Sequence, residues 1–388
     1  MISALHRPYI DASVPVLKQH GVAITTVFYR NMFAEFPELS NLFNMGNQAN
    51  GAQQQSLAAA VFAYAANIDN PGALGPVVSR IVHKHVSLGI TPAHYPIVGR
   101  HLLGAIQQVL GAAATPALLD AWAEAYGSLA NLLIDTERQM YAAAGIEAGA
   151  TRPMTVVSVK QEGADVLAIT LQPADGQPVP PFQPGQYVSV AVTLDGGQRQ
   201  LRQYSLSDAP DGSTLRISVK REAAGAATPA GQVSNWLHQH VQAGTVLQVS
   251  HPFGDFTPDT SSSQPIVLLS AGVGITPMIA TLNQIARSNP QREVIFAHAA
   301  RNADHHAHRA DVAAAQARMP HLRTVTFYED EQGRMEVQQL PAWTHDATNV
   351  YLCGPSGFMR AQWQQLLAAG VPVQRLHREV FGPDLLEI

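Results

Sequence analysis

The stretch Arg80-Ile81-Val82-His83-Lys84-His85-Val86-Ser87-Leu88-Gly89-Ile90, followed by Thr91-Pro92-Ala93-His94-Tyr95, decides the fold. Leu74, Val78, Ile81, His85 and Leu88 fall four, three, four and three residues apart, which is one face of a 3.6-residue period. The stretch therefore reads as a helix, and His85 interrupts an otherwise apolar stripe. His83, two residues earlier, lies roughly 200° around the axis, on the side of Ser79, Arg80 and Ser87. A histidine in an apolar seam is either a core histidine with a backbone partner or a haem or metal ligand. For a lone histidine the first is commoner, so the choice rests on what else the chain supplies.

Working outward, the N-terminal part reads as all helix. Val22, Thr26, Tyr29, Phe33 and Phe36 form one stripe, which Pro37 ends. Leu57, Val61, Tyr64 and Ile68 form a second, with Gln53 one turn earlier. Leu119, Trp122, Tyr126, Leu129, Leu133, Glu137 and Met140 form a third. Another helix is expected from Pro92 to about Leu110, capped by Thr91 with the proline in its first turn. Tyr29, Gln53, His85 and Glu137 thus all point into helical cores, and Tyr95 stands near a helix start. A buried carboxylate is costly unless paired. Several such groups converging suggest a polar pocket in an apolar bundle, the setting in which bundles hold cofactors.

Composition narrows the class. The 388 residues carry 24 Lys and Arg against 29 Asp and Glu, a formal net charge of −5. With no long basic run, that argues against nucleic-acid binding. The single cysteine, Cys353, excludes an internal disulfide and fits a reducing compartment. Met1 to Asp11 has neither a long apolar core nor a small-residue cleavage site, and no run of about 18 apolar residues occurs. No membrane span and a cytoplasmic location are expected. The length suits two or three domains, each with its own core.

Asn41-Leu42-Phe43-Asn44-Met45-Gly46-Asn47-Gln48, then Asn50-Gly51-Ala52-Gln53, resembles the corner and distal helix of the globin domain of flavohaemoglobins. The resemblance extends through Lys84-His85, Tyr95 and Glu137. It implies that His85 is the proximal ligand of haem b iron. Phe43 would pack on the haem, and Tyr29, Gln53 and Leu57 would line the distal pocket, where a lipid is a further candidate occupant. Tyr95 and Glu137 would relay hydrogen bonds to His85. A carboxylate near its far nitrogen increases imidazolate character and pushes electron density toward iron. Lys84 would influence the redox balance between haem and flavin.

Near Gly145-Ile146 the helical period stops, and Gly149 to Pro153 reads as a linker. Strand-like runs follow at 154–159, 166–171, 186–192, 201–206, 214–220 and 246–249, separated by turns such as Asp175-Gly176, Asp195-Gly196-Gly197 and Asp211-Gly212. Many short strands with turn residues between them suggest an antiparallel barrel. Arg202-Gln203-Tyr204-Ser205 resembles the flavin motif of the ferredoxin-reductase superfamily, the arginine pairing with diphosphate through its forked donors. Gly231-Gln232-Val233-Ser234 looks like a loop entering a helix, whose free amides would face the FAD diphosphate. Tyr187 matches a further FAD contact. Two departures stand out: the connection after Tyr141 is short and lacks an expected glycine–tryptophan segment, and Ala223 to Ala230 looks like an insertion.

The last third reads as α/β. A continuous apolar strand, 265–270, leads into Ala271-Gly272-Val273-Gly274-Ile275-Thr276-Pro277 and a helix from Met278. Further strands are expected at 293–299, 321–328 and 349–353, an alternation that means a parallel sheet with crossover helices. The glycine loop is not the full dinucleotide fingerprint, since Pro277 holds the third glycine position, but it places small residues where backbone must approach a pyrophosphate. Together with Cys353-Gly354-Pro355 and Glu379-Val380-Phe381-Gly382-Pro383, it resembles the nicotinamide-binding domain of the same superfamily. Phe381 would cover the flavin, Cys353 would stand beside the nicotinamide, and Glu379 would tune electron transfer. The adjacent His305, His306 and His308 invite a metal reading, but no carboxylate or cysteine spacing completes one, and they are expected to be solvated on a charged helix.

The fold class expected is thus multidomain: an all-α globin at 1–146, an antiparallel β-barrel FAD domain at 151–258 and an α/β parallel-sheet NAD(P)H domain at 265–388. The resemblance implies a monomeric NAD(P)H-dependent nitric oxide dioxygenase, converting NO and O2 to nitrate at a haem reduced through FAD. Two alternatives stay open: a flavin and haem reductase for other acceptors such as hydroperoxides or ferric chelates, and an oxygen-binding or sensing globin.

Overall fold

The computed structural model describes residues 2–43, 45–225 and 228–382; Asn44 and Pro383, both named above, lie outside them. Among the described residues the N-terminal region is helical: α1 (Arg7–Glu35), the short α2 (Met45–Ala49), α3 (Ala52–Ala66), α4 (Gly75–Leu88), α5 (His94–Leu110) and α6 (Pro116–Ala144). Its core gathers Ile10, Ile24, Phe28, Met32, Leu102, Ile106 and Trp122. Gly145, in the left-handed conformation with φ of 66°, ends α6, which is where glycine caps a helix without a Cβ penalty.

The inward face of α1 is one residue away from the expected row. It runs Ile10, Leu17, Gly21, Ile24, Phe28 and Met32 with Tyr29 beside it, whereas Val22 is 49% exposed and Thr26 is exposed. The reason is the crossing with α3: a Cβ on Gly21 would stand 3.2 Å from the Ala58 Cβ, so the helices approach along the row of small residues. On α4 the buried line is Val82, Val86 and Ser87, while Ile81, His85 and Leu88 are only half-buried. On α3 likewise Ala58 and Ala65 are buried, and Gln53, Leu57, Val61 and Tyr64 are half-buried, as is Ile68 just past its end. The apolar stripes expected to be core are flanks with accessible space beside them. Helix α5 starts two residues later than expected, and the cap is inverted: the Thr91 backbone N–H donates to His94 Nδ1 at 2.9 Å.

The middle of the chain forms β1 (Thr151–Gln161), β2 (Val166–Pro173), β3 (Tyr187–Thr193), β4 (Arg199–Ser205), β5 (Leu215–Lys220), α7 (Gln232–His240) and β6 (Val246–Ser250). The six strands lie in the order β4-β3-β6-β1-β2-β5, with antiparallel pairing of β1 to β2 and β6, β2 to β5 and β3 to β6. The two ends of the sheet meet through a bridge between Leu206 and Ile217, which closes a barrel and removes its edges. Val156, Ile169, Val188, Val190, Ile217 and Val249 fill its interior.

The last part alternates strand and helix: β7 (Ile266–Ala271), α8 (Ile275–Ser288), β8 (Val294–Ala300), α9 (Arg309–Gln316), β9 (Leu322–Tyr328), the single turn α10 (Glu329–Gln332), β10 (Asn349–Cys353), α11 (Ser356–Ala368) and β11 (Leu376–Glu379). The sheet order is β11-β10-β7-β8-β9, and all its registers are parallel. Strand β11 is an addition to the sequence reading. Helix α8 begins three residues before Met278, with Pro277 in its first turn, where a proline is tolerated. By proximity the chain divides into two units: Met1–Ala150 with Asp195–Leu201 and Gly225–Pro229, and the rest.

Candidate functional site

In the helical unit the structure brings the predicted polar residues together as two clusters. In the first, His85 on α4 turns its Nδ1 to Glu137 Oε1 of α6 at 2.7 Å, with the Tyr95 hydroxyl 3.2 Å from the same nitrogen. The Tyr95 hydroxyl donates to Glu137 Oε1 at 2.5 Å. Glu137 is 2% exposed and the His85 side chain 32%. With Nδ1 committed to a carboxylate, the accessible Nε2 is left as the donor atom toward the open side, the arrangement of a metal-ligating histidine. Burial, then the Glu137 bond, pushes the Tyr95 hydroxyl far up, so it remains a donor. In the second cluster, Gln53 Nε2 of α3 donates to the Tyr29 hydroxyl of α1 at 3.3 Å. Burial, opposed by Gln53, pushes the Tyr29 phenol up to about 12. The Tyr29, Phe33 and Phe43 rings lie within 5.7 Å of one another. Among the described residues no hydrogen bond joins the two clusters. Phe43, Leu57, Val61, Ile81 and Leu88 are apolar yet half-buried, which suits walls that would lie against an apolar ring system. These residues could hold haem.

Two tyrosines that the sequence reading did not single out hold the first cluster in place. Tyr126 donates to the Tyr95 carbonyl at 2.7 Å. Its ring lies so close to α5 that a Cβ on Gly99 would stand 2.6 Å from it. Tyr141 donates to the Ile90 carbonyl at 3.0 Å and the Val86 carbonyl at 3.3 Å, fastening the end of α4 just past His85. Both stand on the inward face of α6, eleven and four residues from Glu137, and that spacing was the available signal. Lys84 is half-buried, and its carbonyl accepts from the Ser87 hydroxyl.

In the barrel, Arg202, Gln203 and Tyr204 are half-buried and Ser205 is buried on β4. Burial lowers the Arg202 guanidinium and raises the Tyr204 phenol. Helix α7 opens at Gly231 with no side-chain cap, so the first-turn amides of Gln232, Val233 and Ser234 have no intrahelical acceptor. Ser234 Oγ accepts from the Glu222 amide and donates to the Gly231 carbonyl, both at 3.2 Å, which shapes that entry. Tyr187 pairs with Phe253, and its ring lies against Gly254. A half-buried cation and an uncapped helix start suit a diphosphate.

In the α/β layer the loop Ala271 to Thr276 runs from β7 directly into α8. A Cβ on Gly274 would meet the Cys353 carbonyl oxygen at 2.4 Å. That glycine is therefore required by close packing against the end of β10, a reason the sequence reading had assigned to a pyrophosphate. Gly354 is likewise crowded by Phe358 and Ala271; Pro355 is the residue before α11. Cys353 is buried, and burial followed by the Glu379 charge raises its thiol well above the usual value. It is a neutral packing residue, not a nucleophile. Glu379 pairs with Cys353 in register and accepts from the Val380 amide at 2.9 Å. Phe381 is 45% exposed, and Gly382 follows in the left-handed region.

The histidine cluster departs most from expectation. His306 and His308 are buried, not solvated, and they stand between β8 and α9 rather than on a helix. Two carboxylates do approach His308: Glu162 and Asp311, with ligand atoms within 4.8 Å of one another. They are already engaged. Asp311 takes His308 Nδ1 at 2.8 Å and the Arg216 guanidinium at 3.2 Å. Glu162 takes the His308 amide at 3.0 Å and Lys160 at 2.6 Å. A cation would have to displace two others, so the metal reading stays rejected for a new reason.

Comparison with known proteins agrees with this geometry. Residues 26–133 match the globin family model, 153–257 the oxidoreductase FAD-binding domain and 268–364 the oxidoreductase NAD-binding domain. A flavohemoprotein of Chromobacterium violaceum is 49% identical over 400 residues, covering 98% of both chains. One of Bacillus subtilis is 41% identical, covering 97% of this chain and 96% of the relative. The crystal structure of a flavohemoglobin from Malassezia yamatoensis with bound FAD and heme superposes with a TM-score of 0.88 at 30% identity, covering 98% of this chain and 100% of that one. The FAD/NAD-binding domain of a nitric oxide dioxygenase from Vibrio cholerae matches 60% of the chain at 39% identity and a TM-score of 0.57, covering 100% of that chain.

Proposed function

The chain belongs to the flavohemoproteins, and from that premise we propose that it is an NAD(P)H-dependent nitric oxide dioxygenase. The helical region at 1–146 would hold haem b through His85, the barrel at 151–258 FAD, and the α/β layer at 265–388 NADH or NADPH. When bound, these groups supply hydride uptake at the flavin, single-electron delivery to iron and the reaction of O2 with NO that yields nitrate. The protein contributes positioning and electrostatics.

The observation that carries the reading is the carboxylate on His85. Glu137 accepts the Nδ1 proton and Tyr95 caps the same oxygen, so His85 is a stronger electron donor than one bonded to a backbone carbonyl. Oxygen activation benefits from that push; oxygen storage has less need of it. On the other side Tyr29, protonated at neutral pH and steered by Gln53, would donate a hydrogen bond to the gaseous ligand. Phe43 and Leu57 would keep water from that space. Arg202 and the α7 amides would hold the FAD diphosphate, with Gln203, Tyr204, Ser205 and Tyr187 along the flavin. The loop Ala271 to Thr276 and Cys353-Gly354-Pro355 would receive the nicotinamide nucleotide. Phe381 would cover the flavin face with Val380 beside it at the cofactor, and Glu379 and Lys84 would tune the transfer. The reading has the chain act as a cytoplasmic monomer.

Aerobic protein loaded with haem and FAD and given NADH is expected to consume NO rapidly, with one nitrate per NO. Slow consumption, with the haem still cycling between its oxidised and reduced spectra, would mean that electrons reach the haem but the physiological acceptor is another molecule.

A further inference from the structure

A second buried polar network lies inside the larger unit, where the barrel meets the α/β layer. Its centre is His308, 0% exposed and, at φ of 63°, the one non-glycine residue with positive φ among those described. A conformation of that kind persists only where the surroundings over-determine it. Two barrel segments do so, and a third holds α8. The β1–β2 turn gives Glu162 to the His308 amide, and its Ala164 amide donates to the Asp304 carbonyl at 2.7 Å. A Cβ on Gly163 of the same turn would stand 2.6 Å from that carbonyl oxygen. Strand β5 brings the Ser218 hydroxyl to His308 Nε2 at 2.9 Å and Arg216 to Asp311. Beyond β4, Asp208 takes Asn283 Nδ2 at 2.9 Å and Arg287 at 3.1 Å, both on α8.

The network is cross-linked. Asn283 bonds Asp208 of the barrel and Asp311 of α9 with one amide nitrogen, and Arg216 reaches both carboxylates, at 3.6 Å and 3.2 Å. Burial works to raise the Asp311 carboxyl, but the His308 bond and the Arg216 charge outweigh it and hold it well below the usual range. The aspartate is therefore charged, and the ties are charge-assisted. Asp311, His308 and Ser218 have the connectivity of a hydrolase triad. Ser218 is buried, however, and donates onward to Ser207, so no substrate carbonyl could approach it.

What the network does restrain is α8. That helix starts at the glycine loop, and Asn283 and Arg287 lie eight and twelve residues along it, roughly 12 and 18 Å from its start. We propose that the His308–Asp311–Arg216 network is a positioning device that fixes the nucleotide-binding layer against the barrel and so sets the distance for hydride transfer from NADH to FAD. In that step the C4–H bond of the dihydronicotinamide breaks and its electron pair forms the flavin N5–H bond; NADH leaves as NAD+ and FAD becomes FADH−. The inference rests on the proposed function, and it makes His308, Asp311 and Arg216 positioning residues rather than catalytic ones.

The test compares wild-type holoprotein with Asp311→Asn and His308→Gln by stopped-flow reduction of FAD with NADH and with NADH deuterated at the transferred position. Expected is a limiting rate about tenfold or more lower, a kinetic isotope effect with steeper temperature dependence, and unchanged affinities for FAD and NADH. In cofactor-free protein, amide hydrogen exchange at 215–220 and 303–312 should be faster in both variants. A lowered melting temperature with rate, isotope effect and exchange as in wild type would overturn the proposal and leave the network a stability element. A wild type that binds no FAD or takes no hydride sinks the functional reading instead; the exchange comparison then decides the joint by itself, and equal exchange in all three proteins refutes it.

Discussion

Replacing Glu137 by glutamine keeps the shape of the side chain and removes its charge. Glu137 Oε1 accepts from His85 Nδ1 at 2.7 Å and from Tyr95 at 2.5 Å in a buried setting. A hydrogen bond to a charged group contributes about 1.5–3 kcal/mol and a neutral one about 1 kcal/mol. The loss at the His85 bond is then about 0.5–2 kcal/mol. The carboxylate favours the more positive, oxidised iron, so the loss falls mainly on that state. For a one-electron couple about 1.4 kcal/mol corresponds to about 59 mV. The haem midpoint potential of Glu137→Gln should therefore rise by about 60 mV, measured by spectroelectrochemical titration of haem-loaded protein. Tyr95→Phe leaves the carboxylate in place and should move the potential by less than half as much. A Glu137→Gln shift under about 15 mV, with haem content unchanged, would refute the electronic role argued for this carboxylate.

Three further outcomes are expected. Gly99→Ala would drive a methyl to 2.6 Å from the Tyr126 ring. It should destabilise the helical unit by about 1–3 kcal/mol in urea unfolding, and an unchanged midpoint would show that the ring can yield. The Tyr29 phenol rises from 10.0 to about 12 on folding; the unfolded chain ionises first, so stability is complete below pH 10 and falls between pH 10 and 12. The loss is at most about 2.7 kcal/mol, and Tyr29→Phe should flatten that part of the alkaline unfolding profile. His306 moves the other way: burial, then Arg309 and His308, lowers it from 6.5 to about 4. Stability present above pH 6.5 should be lost as pH falls through 4, by up to about 3 kcal/mol. Amide exchange in β8 and β9 should record it in wild type and far less in His306→Phe.

The parts of this chain legible in sequence are those whose signal is local. Strand β10 is read to the residue, because an apolar run bounded by Asn349 and Gly354 needs no distant information. That His85 and Glu137 both face inward is legible from helical periodicity, but their pairing, 52 residues apart, is expected only from the resemblance to flavohaemoglobins. What was missed depends on partners far along the chain. Val22 falls in the expected row because hydrophobicity marks a core row, whereas the crossing selects the smallest side chains, Gly21 and Ala58. His306 and His308 looked like a solvated polar run because Tyr328, Ser218 and Glu162 lie 22, 90 and 146 residues away. Strand β11 has only four residues, two of them His377 and Arg378, and is recognisable only by its register with β10.

Buried charge alone does not mark a functional residue, and two residues here show what does. Arg292 is buried with Nε on the Gln264 carbonyl at 2.7 Å and a terminal nitrogen on the Asp259 carbonyl at 2.6 Å. Its donors tie together two backbone carbonyls of one loop, so it is explained by stability. Glu137 is built differently: Oε1 takes two donors while Oε2, also buried, has no partner among the described residues. A site selected for stability alone would spread the donors over both oxygens, or dispense with the charge, since apolar replacement of a buried polar group is often neutral or stabilising. In the absence of haem, the triple variant His85→Leu, Tyr95→Phe, Glu137→Leu should therefore unfold at an equal or higher urea midpoint than wild type while losing haem binding. A lower midpoint would mean that the cluster holds the helices together. An equal or higher one leaves its effect on the far nitrogen of His85 as the reason it is there.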